Sequence, residues 1–174
     1  MIVSAQHSQT INHRGAALIN RILPARIDNR YRGHPLALWL FVPITFLNVS
    51  RSLTHLLKVD GGAQSISTIP LDTYSASAAQ NIVGLFARVG LEQLVLASLF
   101  VLVLFRYRAM IPLMYVLIVT HYLGSRIVAQ FKPLVLAGTS GVSTPFLVIA
   151  MLSAIGLVLS LIGRRYTEEA APGA

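Results

Sequence analysis

Six polar side chains interrupt long apolar stretches of this sequence, and their types and positions make them the candidates for chemistry. They are Asn48, Arg51, Arg88, Glu92, His121 and Arg126. An ionisable group in the middle of a membrane span costs at least about 2.5–3.5 kcal/mol, so such groups usually pair with one another or face a cavity. We therefore expect a polar cluster inside a helical bundle that either binds a ligand or pins helices together.

Helical spacing groups these side chains. Arg88 and Glu92 are four residues apart and can form an ion pair within one helix, while Asn48 and Arg51 share a face. The excess of arginine favours an anionic group: a lipid head group, a quinone-like oxygen or a carboxylate. Purely structural roles stay open, because the Arg88–Glu92 pair can neutralise itself, and Arg51 and Arg126 can extend to the membrane surface. No metal site is predicted, since the histidines and Glu92 have no local ligand spacing.

The elements that must position this cluster are four apolar segments. A hydrocarbon core about 30 Å thick needs about 20 helical residues, and the sequence offers spans at about 35–57, 82–105, 109–130 and 145–163. Because apolar residues run continuously instead of alternating, membrane strands are excluded. The chain is 55% hydrophobic and only 11% charged. These features predict an all-α integral membrane protein built as a four-helix transmembrane bundle.

Most of the net charge of +8 is a signal of orientation. Nine arginines flank one side of the predicted spans and two lysines flank the other, and cytoplasmic loops carry the excess of basic residues. Both termini should therefore be cytoplasmic, and nucleic-acid binding is not needed to explain the charge. Residues 1–34 are predicted as a basic arm, either with a short interfacial helix on membrane lipid or as a flexible segment. Residues 35–165 are predicted as the membrane domain and residues 166–174 as a short cytoplasmic tail.

Small residues recur at helical spacing in the second and fourth spans. Gly84, Ala87, Gly90 and Ala97 lie in one, and Ser153, Gly156, Ser160 and Gly163 in the other. Because small residues let membrane helices approach closely, these faces should meet each other or another subunit, in a homo-oligomer or a larger membrane complex. The polar stretch before the second span, SASAAQN, is a helical lead-in that Ser75 or Asp72 could cap.

The second and third spans carry a family resemblance. The segment ARVGLEQLVLASLF, the short turn at Arg106-Tyr107-Arg108 and the ending HYLGSRIV are similar to small four-helix bacterial membrane proteins of the DoxX-like type. The resemblance implies a bundle, and some such proteins resemble membrane subunits of quinone-linked oxidoreductases. The basic arm and the Arg88–Glu92 pair depart from that pattern.

Two functions follow as hypotheses. The first is a non-catalytic accessory or scaffold subunit of the bacterial inner (plasma) membrane. The alternative is a ligand-handling protein, such as a small transporter or a quinone-, lipid- or anion-binding subunit, that uses the polar cluster in the outer half of the bundle. No catalytic residue is predicted, enzymatic activity is disfavoured but left open, and no cofactor is predicted beyond leaving a quinone open. The mitochondrial inner membrane is the alternative location, because an arginine-rich, acid-poor start is also typical of a transit peptide.

Overall fold

The structure, a computed structural model, describes residues 15–139, 141 and 143–162. The start of the predicted arm (1–14), the predicted end of the last span and the tail (163–174) lie outside the described residues. Regular structure in the described part is helical: α1 (15–22), α2 (Pro35–Leu57), α3 (Ala76–Arg106), α4 (Ile111–Phe131) and α5 (Ser143–Leu161), with short 3₁₀ turns at Leu71–Thr73 and Arg108–Met110. Helices α2 to α5 are long and apolar enough to cross a membrane, which confirms the predicted all-helical class with four candidate spans.

Local sequence signals set the helix starts. The ring of His34 accepts a hydrogen bond from the Leu36 amide, and Pro35 begins α2 with the fixed backbone angle that a first helical turn needs. Ser75 caps α3 by accepting from the Ala78 amide. Helix α3 therefore begins at Ala76 and not at residue 82, where the predicted span begins. The polar stretch that the sequence predicted as a helical lead-in is part of the helix. At 31 residues it is about 46 Å long, longer than a hydrocarbon core about 30 Å thick.

Side-chain pairs fix the directions of the helices. Phe41 of α2 meets Phe100 of α3, with ring centroids 6.0 Å apart, and near the other end of both helices His55 meets Phe86 at 5.5 Å. Helices α2 and α3 are therefore antiparallel. Tyr115 of α4 packs against Phe41 at 5.4 Å and donates a hydrogen bond of 2.6 Å to the Ala37 carbonyl. Together with Ile44, Met114 and Ile118, these rings form the buried centre of the bundle.

Two glycines allow the closest helix contacts. A Cβ at Gly90 would lie 2.7 Å from the Cβ of His55 and 3.0 Å from the backbone nitrogen of Leu56, so α2 and α3 approach here at backbone distance. A Cβ at Gly156 of α5 would lie 2.4 Å from ring carbons of Tyr115 on α4. Ala97 and Ser153 are fully buried. These positions of the small-residue faces are thus occupied within a single chain.

The N-terminal arm closes one end of the bundle. Arg21 of α1 donates to the Leu161 carbonyl, and the His34 amide donates to the Leu159 carbonyl at 3.1 Å. Both contacts satisfy carbonyls in the last turn of α5, which have no partner inside that helix. The arm also accepts, at the Asp28 carbonyl, from Ala109 beside the α3–α4 turn. The arm, that turn and the end of α5 therefore meet at one end of the bundle.

Two long connections pair at the opposite end. The amide of Ala137 donates to the Thr68 carbonyl at 2.9 Å, and the hydroxyl of Thr68 donates to the Gly138 carbonyl at 3.1 Å. The first connection turns at Asp60, because the following residues Gly61 and Gly62 have φ of 60° and 78°, which glycine adopts without strain.

The Asp60 carboxylate holds this turn together. It accepts hydrogen bonds from the amides of Gly62 at 3.0 Å and Ser65 at 2.7 Å. Partial burial acts to raise the pKa of Asp60, but the hydrogen bonds from Ser65 and Gly62 outweigh it and lower the pKa to about 2. The turn is therefore stabilised by an ionised carboxylate over the physiological pH range.

Candidate functional site

Arg51 is the centre of a polar cluster inside the bundle. Its Nη1 donates to the Tyr122 hydroxyl at 3.2 Å, and its Nη2 lies 3.4 Å from Nε2 of His121. The guanidinium also lies over the rings of Tyr122 and Phe146, at 5.3 Å and 4.9 Å from their centroids. A planar, weakly hydrated guanidinium suits both kinds of contact. We call Arg51, His121 and Tyr122, with Asn48 and Gln93 beside them, the Arg51 cluster.

The charge of Arg51 is stabilised by neutral groups. In the part of the chain that the structure describes, the one salt bridge joins Arg32 to Asp28 at 2.6 Å, in the arm and far from this cluster along the chain. Since a guanidinium can only donate hydrogen bonds, Nε2 of His121 is suited to this contact as an acceptor, in the tautomer that carries the proton on Nδ1. Arg51 therefore brings a positive charge into the bundle that no described carboxylate balances.

Asn48 contributes mainly to its own helix. It is buried, and its side-chain nitrogen donates to the Ile44 carbonyl one turn earlier at 2.8 Å. Ser52 in turn donates to the Asn48 carbonyl at 2.7 Å. These bonds fix the orientation of the Asn48 side chain at the wall of the cluster.

A small cavity adjoins the cluster, with a volume of about 10 Å³. Its lining residues are Asn48, Arg51, Gln93, Leu96, Phe100, Ile118, His121 and Tyr122. Two buried polar atoms on these residues, Nε of Arg51 and Oε1 of Gln93, have no hydrogen-bond partner among the described residues. One is a donor and the other an acceptor, and a cavity needs about 10–15 Å³ to hold a water. The cavity therefore suits one water-sized polar species, and a quinone ring would require side chains to move.

Gln93 is the residue that sequence reasoning missed, together with the role of Tyr122 as partner of Arg51. A signal for Gln93 existed, because it lies three residues after Gly90 and four before Ala97. It therefore shares the small-residue face of α3 that packs against α2.

The structure does not bring Arg88 and Glu92 into the cluster, although the sequence reasoning expected them there. Both side chains are exposed, and they form no salt bridge with each other or with any other described residue. The physical reason lies in the helix geometry. Arg88 and Glu92 are each two residues from Gly90, which faces α2. Because a helix turns by about 100° per residue, both positions lie about 200° around the helix axis from Gly90. The two charged residues therefore lie on the opposite side of α3.

Arg126 is also separate from the cluster. Its side chain is exposed in the last turns of α4, where a long arginine can reach the membrane surface. Of the six residues predicted to form the site, the structure thus gathers Asn48, Arg51 and His121 around one cavity and leaves Arg88, Glu92 and Arg126 on the surface.

The surface of α3 that carries Arg88 and Glu92 has a regular spacing of three and four residues. We call it the α3 face; its members are Leu85, Arg88, Glu92, Val95, Leu99 and Leu102, all exposed. This spacing is the heptad pattern by which a helix presents one seam to another helix. The α3 face is thus an apolar seam interrupted by one positive and one negative charge.

Comparison with known proteins adds no family. No protein-family model, curated protein or solved structure matches this chain. The similarity to DoxX-like proteins stays a prediction.

Proposed function

We propose that this chain is a non-catalytic accessory or scaffold subunit of a bacterial inner-membrane assembly, and that it joins the assembly through the α3 face. The observation that carries the proposal is the exposure of both Arg88 and Glu92 on a helix long enough to cross a membrane.

The depth of Glu92 makes its exposure to lipid unfavourable. Counted from Arg106 at the end of α3, Glu92 lies about 21 Å and Arg88 about 27 Å along the helix. In a hydrocarbon core about 30 Å thick, Arg88 is close enough to the far boundary to extend its side chain into the head groups. Glu92 is shorter and about 9 Å deeper than that boundary, where an ionised carboxylate needs a protein partner.

The orientation that we propose places the arm and both termini in the cytoplasm. The end of the bundle that holds the arm carries six described arginines against Asp28: Arg21, Arg26, Arg30, Arg32, Arg106 and Arg108. The opposite end has Lys58 and Lys132, balanced by Asp60 and Asp72. This distribution is typical of a bacterial inner-membrane protein whose arginine-rich end remains inside. Exposed apolar residues of the arm, among them Leu18, Ile19 and Leu23, would lie against the membrane lipid.

Native electrophoresis in a gentle detergent tests the proposal. The wild-type chain should migrate as a complex larger than one copy, and the double substitution R88Q/E92Q should release a single copy. R126Q is the matched control, since it removes an exposed arginine from another helix and should leave the complex intact. A wild-type chain that migrates alone, or a complex that survives R88Q/E92Q, would contradict the proposal.

A second function is supported by the Arg51 cluster. Within the described part of the chain, a donor and an acceptor without partners border one cavity next to a positive charge that no carboxylate balances, so the cluster could hold a water or a small anion that the protein transfers or senses. Q93L separates this function from a packing role, because it removes the acceptor while keeping most of the side-chain volume. The readout is a cellular phenotype that depends on this chain. Loss of that phenotype while the Q93L chain is present in the membrane at normal abundance would favour the ligand-handling function. An unchanged phenotype would exclude a role for the Gln93 acceptor.

A further inference from the structure

We infer that a second cavity, between the N-terminal arm and the bundle, is a binding site for the phosphate group of an anionic phospholipid. The cavity has a volume of about 50 Å³. The residues that carry the argument come from the arm, the start of α4 and the end of α5: Asn20, Arg21, Tyr31, Arg32, Pro112 and Ser160. None of them belongs to the α3 face, so the inference goes beyond the proposed assembly and does not depend on its partner.

The charged residues that line this cavity are two arginines, and the structure balances one of them. Arg32 donates to both carboxylate oxygens of Asp28, at 3.0 Å and 2.6 Å, whereas Arg21 has no carboxylate partner among the described residues. One nitrogen of Arg21, Nη1, donates to the Leu161 carbonyl. A guanidinium has five N–H donors in a planar fork that matches phosphate oxygens. The lining therefore brings an unbalanced positive charge to a cavity that holds no described carboxylate.

The hydroxyl of Tyr31 is the second feature of the site. Its oxygen is buried and has no hydrogen-bond partner among the described residues. A Cβ at Gly33, which also lines the cavity, would overlap this oxygen and lie 2.7 Å from the carbonyl oxygen of Ser160. The hydroxyl thus lies beside lining residues of both the arm and α5. Burial raises the pKa of Tyr31, so the hydroxyl keeps its proton and can donate to a phosphate oxygen.

The size of the cavity and its depth favour a lipid phosphate. Because one water needs about 10–15 Å³, a cavity of 50 Å³ has room for about four water-sized atoms, and a phosphate has four oxygens around its phosphorus. Helix α2 begins at Pro35 and α5 ends at Leu161, so the cavity lies where these spans leave the hydrocarbon core. In the orientation proposed above, this is the cytoplasmic leaflet, which carries anionic lipids. Leu18 and Ile19, exposed on the arm beside Arg21, would contact the acyl chains.

Native mass spectrometry of the full chain in a non-ionic detergent tests the inference. The wild-type chain should retain one molecule of added phosphatidylglycerol. R21Q should weaken this binding at least about tenfold, because it removes a charge-assisted hydrogen bond. R26Q is the matched control: Arg26 is exposed on the same arm, outside the lining, and its loss should leave the binding unchanged. If R26Q weakens binding as much as R21Q, the lipid is attracted by diffuse surface charge and the inference is wrong.

Y31F excludes a purely structural explanation. It keeps the ring, which packs against the bundle core, and removes only the hydroxyl. The variant should therefore fold like the wild type and bind phosphatidylglycerol about two- to tenfold more weakly, the effect of one neutral hydrogen bond. An affinity that neither R21Q nor Y31F changes would overturn the inference. A wild-type chain that retains no phosphatidylglycerol would also overturn it.

Two further ligands identify the source of the phosphate. Phosphatidylcholine carries the same phosphate in a head group without net charge and should bind more weakly than phosphatidylglycerol. Equal binding of the two lipids would contradict the role given to the charge of Arg21. Sodium phosphate is titrated by calorimetry in the absence of lipid. If inorganic phosphate binds, phosphatidylglycerol does not, and R21Q abolishes the binding of phosphate, the cavity takes free phosphate and the assignment to a lipid is wrong.

Discussion

Replacing Gly90 by alanine tests the α2–α3 contact that sets which residues of α3 face inward. The added Cβ would lie 2.7 Å from the Cβ of His55 and 3.0 Å from the backbone nitrogen of Leu56. These atoms belong to the backbone or are attached directly to it, so no side-chain rotation relieves the overlap and the helices must separate. Inserting a methyl group into such a packed site typically costs about 1–3 kcal/mol.

The matched control is G84A on the same helix, where a Cβ would meet no atom of the described residues within 4 Å. Both substitutions gain the same helix propensity, about 0.5–1 kcal/mol, so the difference between the two variants isolates the overlap. We expect G90A to be less stable than G84A by about 1–3 kcal/mol, measured by denaturant titration in mixed micelles and followed by circular dichroism. Two results would refute the close approach of α2 and α3, and with it the outward position of Arg88 and Glu92. One is a difference in stability between the two variants below about 0.5 kcal/mol, which is within ordinary surface effects. The other is a G90A variant more stable than G84A.

Three further predictions concern other parts of the molecule. Q93L removes a buried acceptor that has no hydrogen-bond partner among the described residues and that belongs to the lining of the cavity beside Arg51. The substitution should leave stability unchanged or raise it. A loss above about 2 kcal/mol, typical of a broken buried hydrogen bond, would mean that a bound species bridges the two groups. Because the pKa of Asp60 is lowered to about 2 from 3.8, its stabilisation of the loop is complete above about pH 4 and is lost as the pH falls towards 2. Amide hydrogen exchange of the loop should therefore accelerate over that pH window in the wild type and not in D60N. Equal acceleration in both proteins would exclude Asp60 as the cause. The chain has no cysteine, so S65C and N29C introduce single thiols at opposite ends of the bundle. A maleimide that does not cross membranes should label S65C in intact cells and N29C only after lysis. The reverse result would invert the proposed orientation.

The sequence was sufficient for the spans because hydrocarbon thickness imposes a length and a composition that few other structures share. The predicted segments at 35–57 and 109–130 agree closely with α2 (Pro35–Leu57) and α4 (Ile111–Phe131). The apolar pattern does not reach the start of α3, because its first turns are polar and lie beside a loop core of Ala63, Ile69 and Leu71. Tertiary contact outside an apolar segment leaves only a weak signal in hydropathy, and the Ser75 cap was the clue that remained.

The composition of the site was harder to predict than the spans. Spacing shows which residues share a face of one helix, but it does not show which face meets a neighbour. Charge drew attention to Arg88 and Glu92, whereas the neutral Gln93 borders the cavity with Arg51. The tight approach at Gly90 selects the inward face of α3, and the partner of a glycine can be identified only from the packed structure. Once that contact is known, the helical repeat places the two charges outward.

Access of lipid to the α3 face is the most direct test of the claim that this face is covered by protein. Single cysteines at Val95 of the α3 face and at Met151 of α5 would carry a fluorophore, and a lipid-soluble quencher in the native membrane would report contact with lipid. The two positions are matched, since they are 66% and 65% exposed in one chain and both lie about 15–17 Å from the arm end of their helices. The account predicts strong quenching at residue 151 and weak quenching at residue 95, with R88Q/E92Q restoring quenching at residue 95. Equal, strong quenching at both positions in the otherwise unaltered chain would contradict it.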